Sequence, residues 1–193
     1  MIYYLKNKDK ILLQFEICNV EIDDYLKEKQ YKQEIKNIQV FSDLMPINLD
    51  KNDLQNSLKK WIENRRVPYN RKFVEKIIAT YANDFNQSFI DYIDISFALS
   101  LNDTFWIVTS NKNYSWKEYN LYDNNFEQAL ELVAFNGKDF KANGITLSPE
   151  YTTNGMLQKC WHKENNKIVL YKGSSEKYAN GGKEAFSEYD IFH

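Results

Sequence analysis

The residues best suited to chemistry lie in the last third of the chain, where Ser148-Pro-Glu-Tyr-Thr-Thr-Asn-Gly155 sets hydroxyls, an amide and a glycine directly before an apolar run. Small residues let a backbone approach an anion closely, and hydroxyls with backbone N–H groups can wrap a phosphate. The same composition also makes an ordinary polar turn, so the segment alone reads either way. Lys172 ends the following run, Ile168-Val-Leu-Tyr-Lys172. A lysine at the end of a strand facing a polar loop can reach the phosphates of a nucleotide, and it can equally be a solvated side chain. A glutamate on a following helix would complete the phosphate design, and Glu184 or Glu188 stands at a suitable distance. The three elements in this order say more than any one of them.

Other candidates are fewer. Cys18 and Cys160 are isolated thiols with no CxxC pattern, and only His162 and His193 could join them as soft ligands. A zinc site needs about four such ligands at close spacing, so reduced, cytosolic cysteines are the better reading. No Ser-His-Asp, Cys-His or paired-carboxylate arrangement stands out. Lys59, Lys60, Arg65, Arg66, Arg71 and Lys72 form a basic cluster with Trp61 and Tyr69 interleaved. It resembles the contact surface of a helix-turn-helix for DNA or phosphate, but acidic residues surround it, which favours a solvated face.

The elements that must position these groups follow from periodicity. Residues 1–17 alternate around the polar Lys6–Lys10 stretch and predict a β-hairpin, with one further strand near Ile35–Phe41. Asp50 can cap a helix whose apolar face is Leu54, Leu58, Trp61 and Ile62, and Val67-Pro68 ends it. Asn70 then caps a second helix with Phe73, Val74, Ile77, Ile78 and Tyr81 inward; Phe89, Ile90, Ile93 and Phe97 mark a third. After a tyrosine-rich, turn-rich stretch, Asn125 caps a helix that passes Val133 and ends near Gly137. Met156–Trp161 and Lys167–Lys172, joined by Lys163-Glu-Asn-Asn166, read as a hairpin, and helical character returns at Lys183–Phe192. The expected class is α+β: an N-terminal hairpin and small helical cluster over 1–98, then a β-rich part over 99–193.

Composition bounds the rest. Hydrophobic residues at 43 % and aromatics at 16 % supply a core, while three prolines and six glycines leave little for a long linker. A net charge of −2 gives no global field for a polyanion. No stretch approaches the roughly 18 apolar residues of a membrane span, and the N-terminal apolar run is too short for a signal peptide, so a cytoplasmic protein with no membrane partner is expected.

Longer blocks carry a resemblance. Thr152-Thr-Asn-Gly-Met-Leu-Gln-Lys-Cys-Trp161, then Leu170-Tyr-Lys-Gly173, then Phe186-Ser-Glu-Tyr189 resemble the N-lobe of HipA-like serine/threonine kinases of Gram-positive bacteria and their mobile elements. Leu44-Met-Pro-Ile47, the segment Trp61–Arg71, Leu99–Asp103 and Tyr119–Asp123 are similar to stretches of the same proteins in the same order. The resemblance implies a β-rich kinase N-lobe over 99–193, with Ser148, Thr152, Thr153, Asn154 and Gly155 in the phosphate-binding loop. It makes Lys172 the ATP-contacting lysine and Glu188 its helical partner.

Two departures stand out. Gln158 occupies a position where the family has proline, and Tyr189-Asp-Ile-Phe-His193 leaves the family pattern, which suggests a natural or frameshifted chain end. After Lys172 the sequence holds only Asp190, so the catalytic and metal-binding aspartates of phosphoryl transfer are missing. The expectation is a non-catalytic HipA-like module that binds ATP weakly, with Mg²⁺ only alongside a complementing lobe. It would act on a kinase C-lobe, an antitoxin or another protein. The alternative is a phage or mobile-element protein that inhibits or regulates a host factor by protein contact.

Overall fold

The alternation at the N-terminus folds as a hairpin. Ile2–Asn7 (β1) and Lys10–Ile22 (β2) pair antiparallel across Lys8-Asp9, with Lys8 in the left-handed region at φ 49°. The computed structural model describes residues 1–22, 30–82, 89–173 and 187–192. Gln30–Val40 (β3) pairs with β2, and Phe105–Thr109 (β4) pairs with β1, giving an antiparallel sheet of order β3-β2-β1-β4. The register steps from Leu5 opposite Leu13 to Lys6 opposite Ile11, so Leu12 is a bulged residue. The bulge lets Leu12 and Leu13, neighbours in sequence, both be buried.

Period-2 patterning explains which strands are covered on both faces. Tyr3, Leu5 and Ile107 enter one core with Phe15, Ile17 and Ile35; Tyr4, Trp106 and Val108 enter a second with Phe97 and Leu121. The second core is largely aromatic, with Phe97 edge-on to Trp106 and Tyr119 at centroid distances of 5.7 and 5.3 Å.

The helices pack around the first core, except for the single turn at Trp116–Tyr119, which packs on the second. Leu54–Asn64 (α1) buries Leu58, Trp61 and Ile62. Val74–Ala79 (α2) buries Val74, Ile77 and Ile78, and Phe89–Ser96 (α3) buries Phe89, Tyr92 and Ile93. Trp116–Tyr119 (α4) is a single turn, and Gln128–Asn136 (α5) packs on α2 and on the second sheet. That sheet, of order β5-β6-β7, comprises Lys159–Glu164 (β5), Lys167–Gly173 (β6) and Ser187–Phe192 (β7), all antiparallel. Its first turn is Asn165-Asn166 with φ of 47° and 63°, the left-handed pair that a tight two-residue hairpin requires.

The architecture is α+β, and several boundaries differ from expectation. Asp53 rather than Asp50 caps α1, because Asp50 instead accepts from the Asn52 N–H at 2.9 Å within the preceding turn. Asn70 caps nothing: Arg71 and Val74 close turns onto Pro68 and Arg71, and α2 begins only after Phe73 at φ 60°. Phe97 lies beyond α3, since Phe97 and Ala98 take left-handed φ of 53° and 51° and send the ring into the aromatic core. Glu127 replaces Asn125 as the cap of α5, accepting from the Ala129 N–H at 3.2 Å. The first C-terminal strand starts at Lys159, not Met156. Helix expected at Lys183–Phe192 is strand from Ser187 onward, where β6 offers a free ladder edge; 183–186 lie outside the described residues. β4 was not anticipated, and it joins β1 across the expected division at 98/99, as does the core that runs from Tyr3 to Cys160.

Gly137 ends α5 at φ 68°, and a Cβ there would sit 2.7 Å from two ring carbons of Phe73. Substitution thus meets both the left-handed penalty and a ring wedged at the start of α2. Gly137→Ala is expected to cost about 2 kcal/mol or more in urea unfolding. A loss below about 0.5 kcal/mol would show that Phe73 moves aside freely.

Candidate functional site

Pro149–Thr152 form a 3-10 turn, and the hydroxyls expected to cradle phosphate turn inward. Ser148 Oγ accepts from the Glu150 N–H at 3.1 Å. Thr152 and Thr153 both donate to the Pro149 carbonyl, at 3.2 and 2.7 Å, and Thr153 Oγ1 also accepts from the Trp161 indole at 2.7 Å. All three are buried. Ser148, Thr152 and Thr153 therefore build the loop, and only Asn154 and Gly155 reach its surface.

What fixes the loop is an ion pair with both side chains fully buried, Arg71 Nη2 with Glu150 Oε2. Arg71 also donates to the carbonyls of Glu150, Thr153 and Lys159 at 2.9, 3.3 and 3.0 Å. Glu150 Oε1 accepts from the Trp161 N–H at 2.5 Å. Burial raises the Glu150 carboxyl above its ordinary range, while Arg71 and the Trp161 amide pull it back.

At the loop's open end the charge is positive. The Lys159 ammonium donates to the Asn154 carbonyl at 2.5 Å and occupies the space that a side chain at Gly155 (φ 98°) would take. Lys172 lies opposite Lys159 in the β5-β6 register. Lys72 is tethered nearby, its N–H on the Met156 carbonyl at 2.9 Å and its ammonium on Gln158 Oε1 at 2.9 Å. Burial, then the charges of Arg71 and Lys172, hold Lys159 below the usual lysine range. Glu188 takes the register position opposite Lys172 on the other side, on β7 rather than on a helix.

The basic cluster divides. Arg65 is buried and clamps Asp103 with two bonds of 2.7 and 3.1 Å, while also donating to the carbonyls of Ala98 and Phe105 at 2.8 and 3.0 Å. Arg66 lies over the rings of Phe89 and Tyr92 at 4.6 and 5.5 Å. With Arg71 also inside, no continuous solvated face exists here, and only Lys60 and Lys72 of the six are exposed.

A constellation that the motifs did not reveal lies on the other face of β5. Cys160, His162 and Glu164 alternate along the strand and face Glu131, Leu132 and Phe135 of α5 across a groove of about 230 Å³. His162 Nδ1 meets Glu131 Oε2 at 2.7 Å and its Nε2 lies 3.6 Å from Glu164 Oε1, which accepts from the Tyr171 hydroxyl at 2.5 Å. The sequence trace was the period-2 spacing of Cys-Trp-His-Lys-Glu within a strand. Burial and the nearby carboxylates push the Cys160 thiol up to about 12, so it is no nucleophile. Among the described residues no group of three or more His, Cys, Asp or Glu side chains is disposed to hold a metal ion, and no helix is long and apolar enough to cross a membrane.

Compared with known protein families, characterised proteins and solved structures, the chain matches none.

Two outcomes test this geometry. Arg71→Ala is expected to lower unfolding stability by about 3–5 kcal/mol, since Glu150 is left as an uncompensated buried charge. The Arg71→Met/Glu150→Leu pair should not restore it, because three carbonyls and the Trp161 N–H lose their partners; a double variant as stable as the parent in urea would refute this account. In the native chain a thiol reagent should label the half-exposed Cys18 at least about a hundred times faster than Cys160, with equal rates in denaturant. Comparable native rates would mean that the groove opens.

Proposed function

We propose that the chain is a HipA-like kinase N-terminal module that recognises the phosphates of a nucleotide and acts by binding. The observation that supports it is the facing pair Lys159 and Lys172 beside the Asn154-Gly155 turn, with Lys72 tethered close by. Lys159 loses more by burial and by its cationic neighbours than Glu150 returns, which leaves it short of negative charge. An anion at the turn would supply that charge, and the left-handed Gly155 lets the backbone come close to it. Lys172 keeps the role the resemblance gives it. Glu188, at the register position facing Lys172 on β7, would take the lysine-orienting role that the resemblance gives it. Ser148, Thr152 and Thr153 contribute by holding the turn's shape.

A protein partner of this module, whether a kinase C-lobe, an antitoxin or a host factor, would supply the second wall of the nucleotide site. ATP with Mg²⁺, titrated calorimetrically, is expected to bind weakly and saturably. Lys172→Ala and Lys159→Ala should each weaken binding by about tenfold or more, the worth of one charge-assisted contact. Absence of heat at millimolar ATP, or binding indifferent to both variants, would reject the nucleotide reading.

A further inference from the structure

Alternation along β5 separates two surfaces. Lys159 and Trp161 belong to one side of the β5-β6 hairpin, and Cys160, His162 and Glu164 to the other, where α5 closes the groove. The groove holds two carboxylates, Glu131 from α5 and Glu164 from β5, with His162 between them and no lysine or arginine among its described lining residues. It is net negative whether or not His162 carries a proton, since two carboxylates stand against one imidazole. Leu132, Phe135, Cys160 and the Tyr171 ring supply apolar wall, and Asn136 adds a polar amide.

We propose that this groove is a binding site for a small organic cation, a single ring bearing one alkylammonium arm. Size and charge select that class. A volume of about 230 Å³ exceeds the roughly 150 Å³ that accommodates benzene and falls short of the about 300 Å³ at which drug-sized pockets begin. The apolar walls take the ring, and Glu131 with Glu164 takes the ammonium. Glu131 is partly desolvated, which lifts its carboxyl above the ordinary range despite His162, so a further positive charge at that place is favourable. The site is separate from the lysine face, and its fate is independent of ATP binding there.

The probe is 2-phenylethylammonium, with 2-phenylethanol as its neutral counterpart, titrated into the full chain by amide NMR. The expected result is saturable shifts confined to α5, β5 and β6, with the ammonium bound about tenfold tighter than the alcohol. Glu131→Gln should abolish that preference. Leu132→Lys, at a position already exposed, adds a cation at the mouth without emptying a core and should weaken the ammonium selectively. Equal binding of both probes, binding of neither, or shifts confined to the Lys159-Lys172 face would overturn the proposal. So would ammonium binding that survives both substitutions.

Discussion

The Arg71 guanidinium is the constraint on which the second half of the molecule depends. It sits just before α2 and reaches three carbonyls and one carboxylate, all from the 150–159 stretch. The flanking backbone repeats the attachment, with the Val67 N–H on the Tyr151 carbonyl at 2.7 Å and the Lys72 N–H on the Met156 carbonyl. Removing two charges from water is costly, and a bare ion pair gives little net stability. Here the guanidinium also satisfies backbone acceptors that no strand or helix covers, which an apolar replacement could not do. The pair therefore fixes conformation more than it adds stability: with Glu150 held, the Trp161 amide, the start of β5 and the Asn154-Gly155 turn each have one place to go.

Arg65 does the same for the first half. From the end of α1 it holds Asp103 and the carbonyls of Ala98 and Phe105, stapling the irregular link between α3 and β4. That link includes two non-glycine residues in the left-handed region, a conformation that needs its surroundings to over-determine it. The Tyr92 hydroxyl donates to the Arg65 carbonyl at 3.1 Å, so α3 is tied to the same point. Two arginines six positions apart thus anchor both halves to one segment between α1 and α2.

Local chemistry was legible in the sequence where one residue settles the matter. The asparagine pair at 165–166, the apolar faces of α1 and α3 and the terminal Gly137 each follow from rules that act within one turn or strand. Partners distant in sequence were not legible. Arg71 and Glu150 are far apart along the chain, and a count of basic residues cannot show that an acceptor waits inside. The threonines of the 148–155 loop have the right composition for a phosphate cradle, but the direction of a hydroxyl is set by the Pro149 carbonyl and the Trp161 indole, which composition does not encode. Phe-Trp-Ile-Val-Thr is a good strand sequence, but its partner β1 is distant in sequence and no local turn announces the pairing.

The two candidate surfaces are linked through β5. Each depends on which side of β5 a residue occupies, and that depends only on register. A slip of one residue in the β5-β6 hairpin would carry Lys159 to the groove and His162 to the lysine face, exchanging the signs of both surfaces. The two-residue turn opposes this locally: Asn165 and Asn166 in left-handed geometry favour one pairing, Glu164 opposite Lys167, and every later pair follows from it, while Glu150 on the Trp161 amide holds β5 from the other end. Residues that belong to neither surface thereby help to set the charge of both.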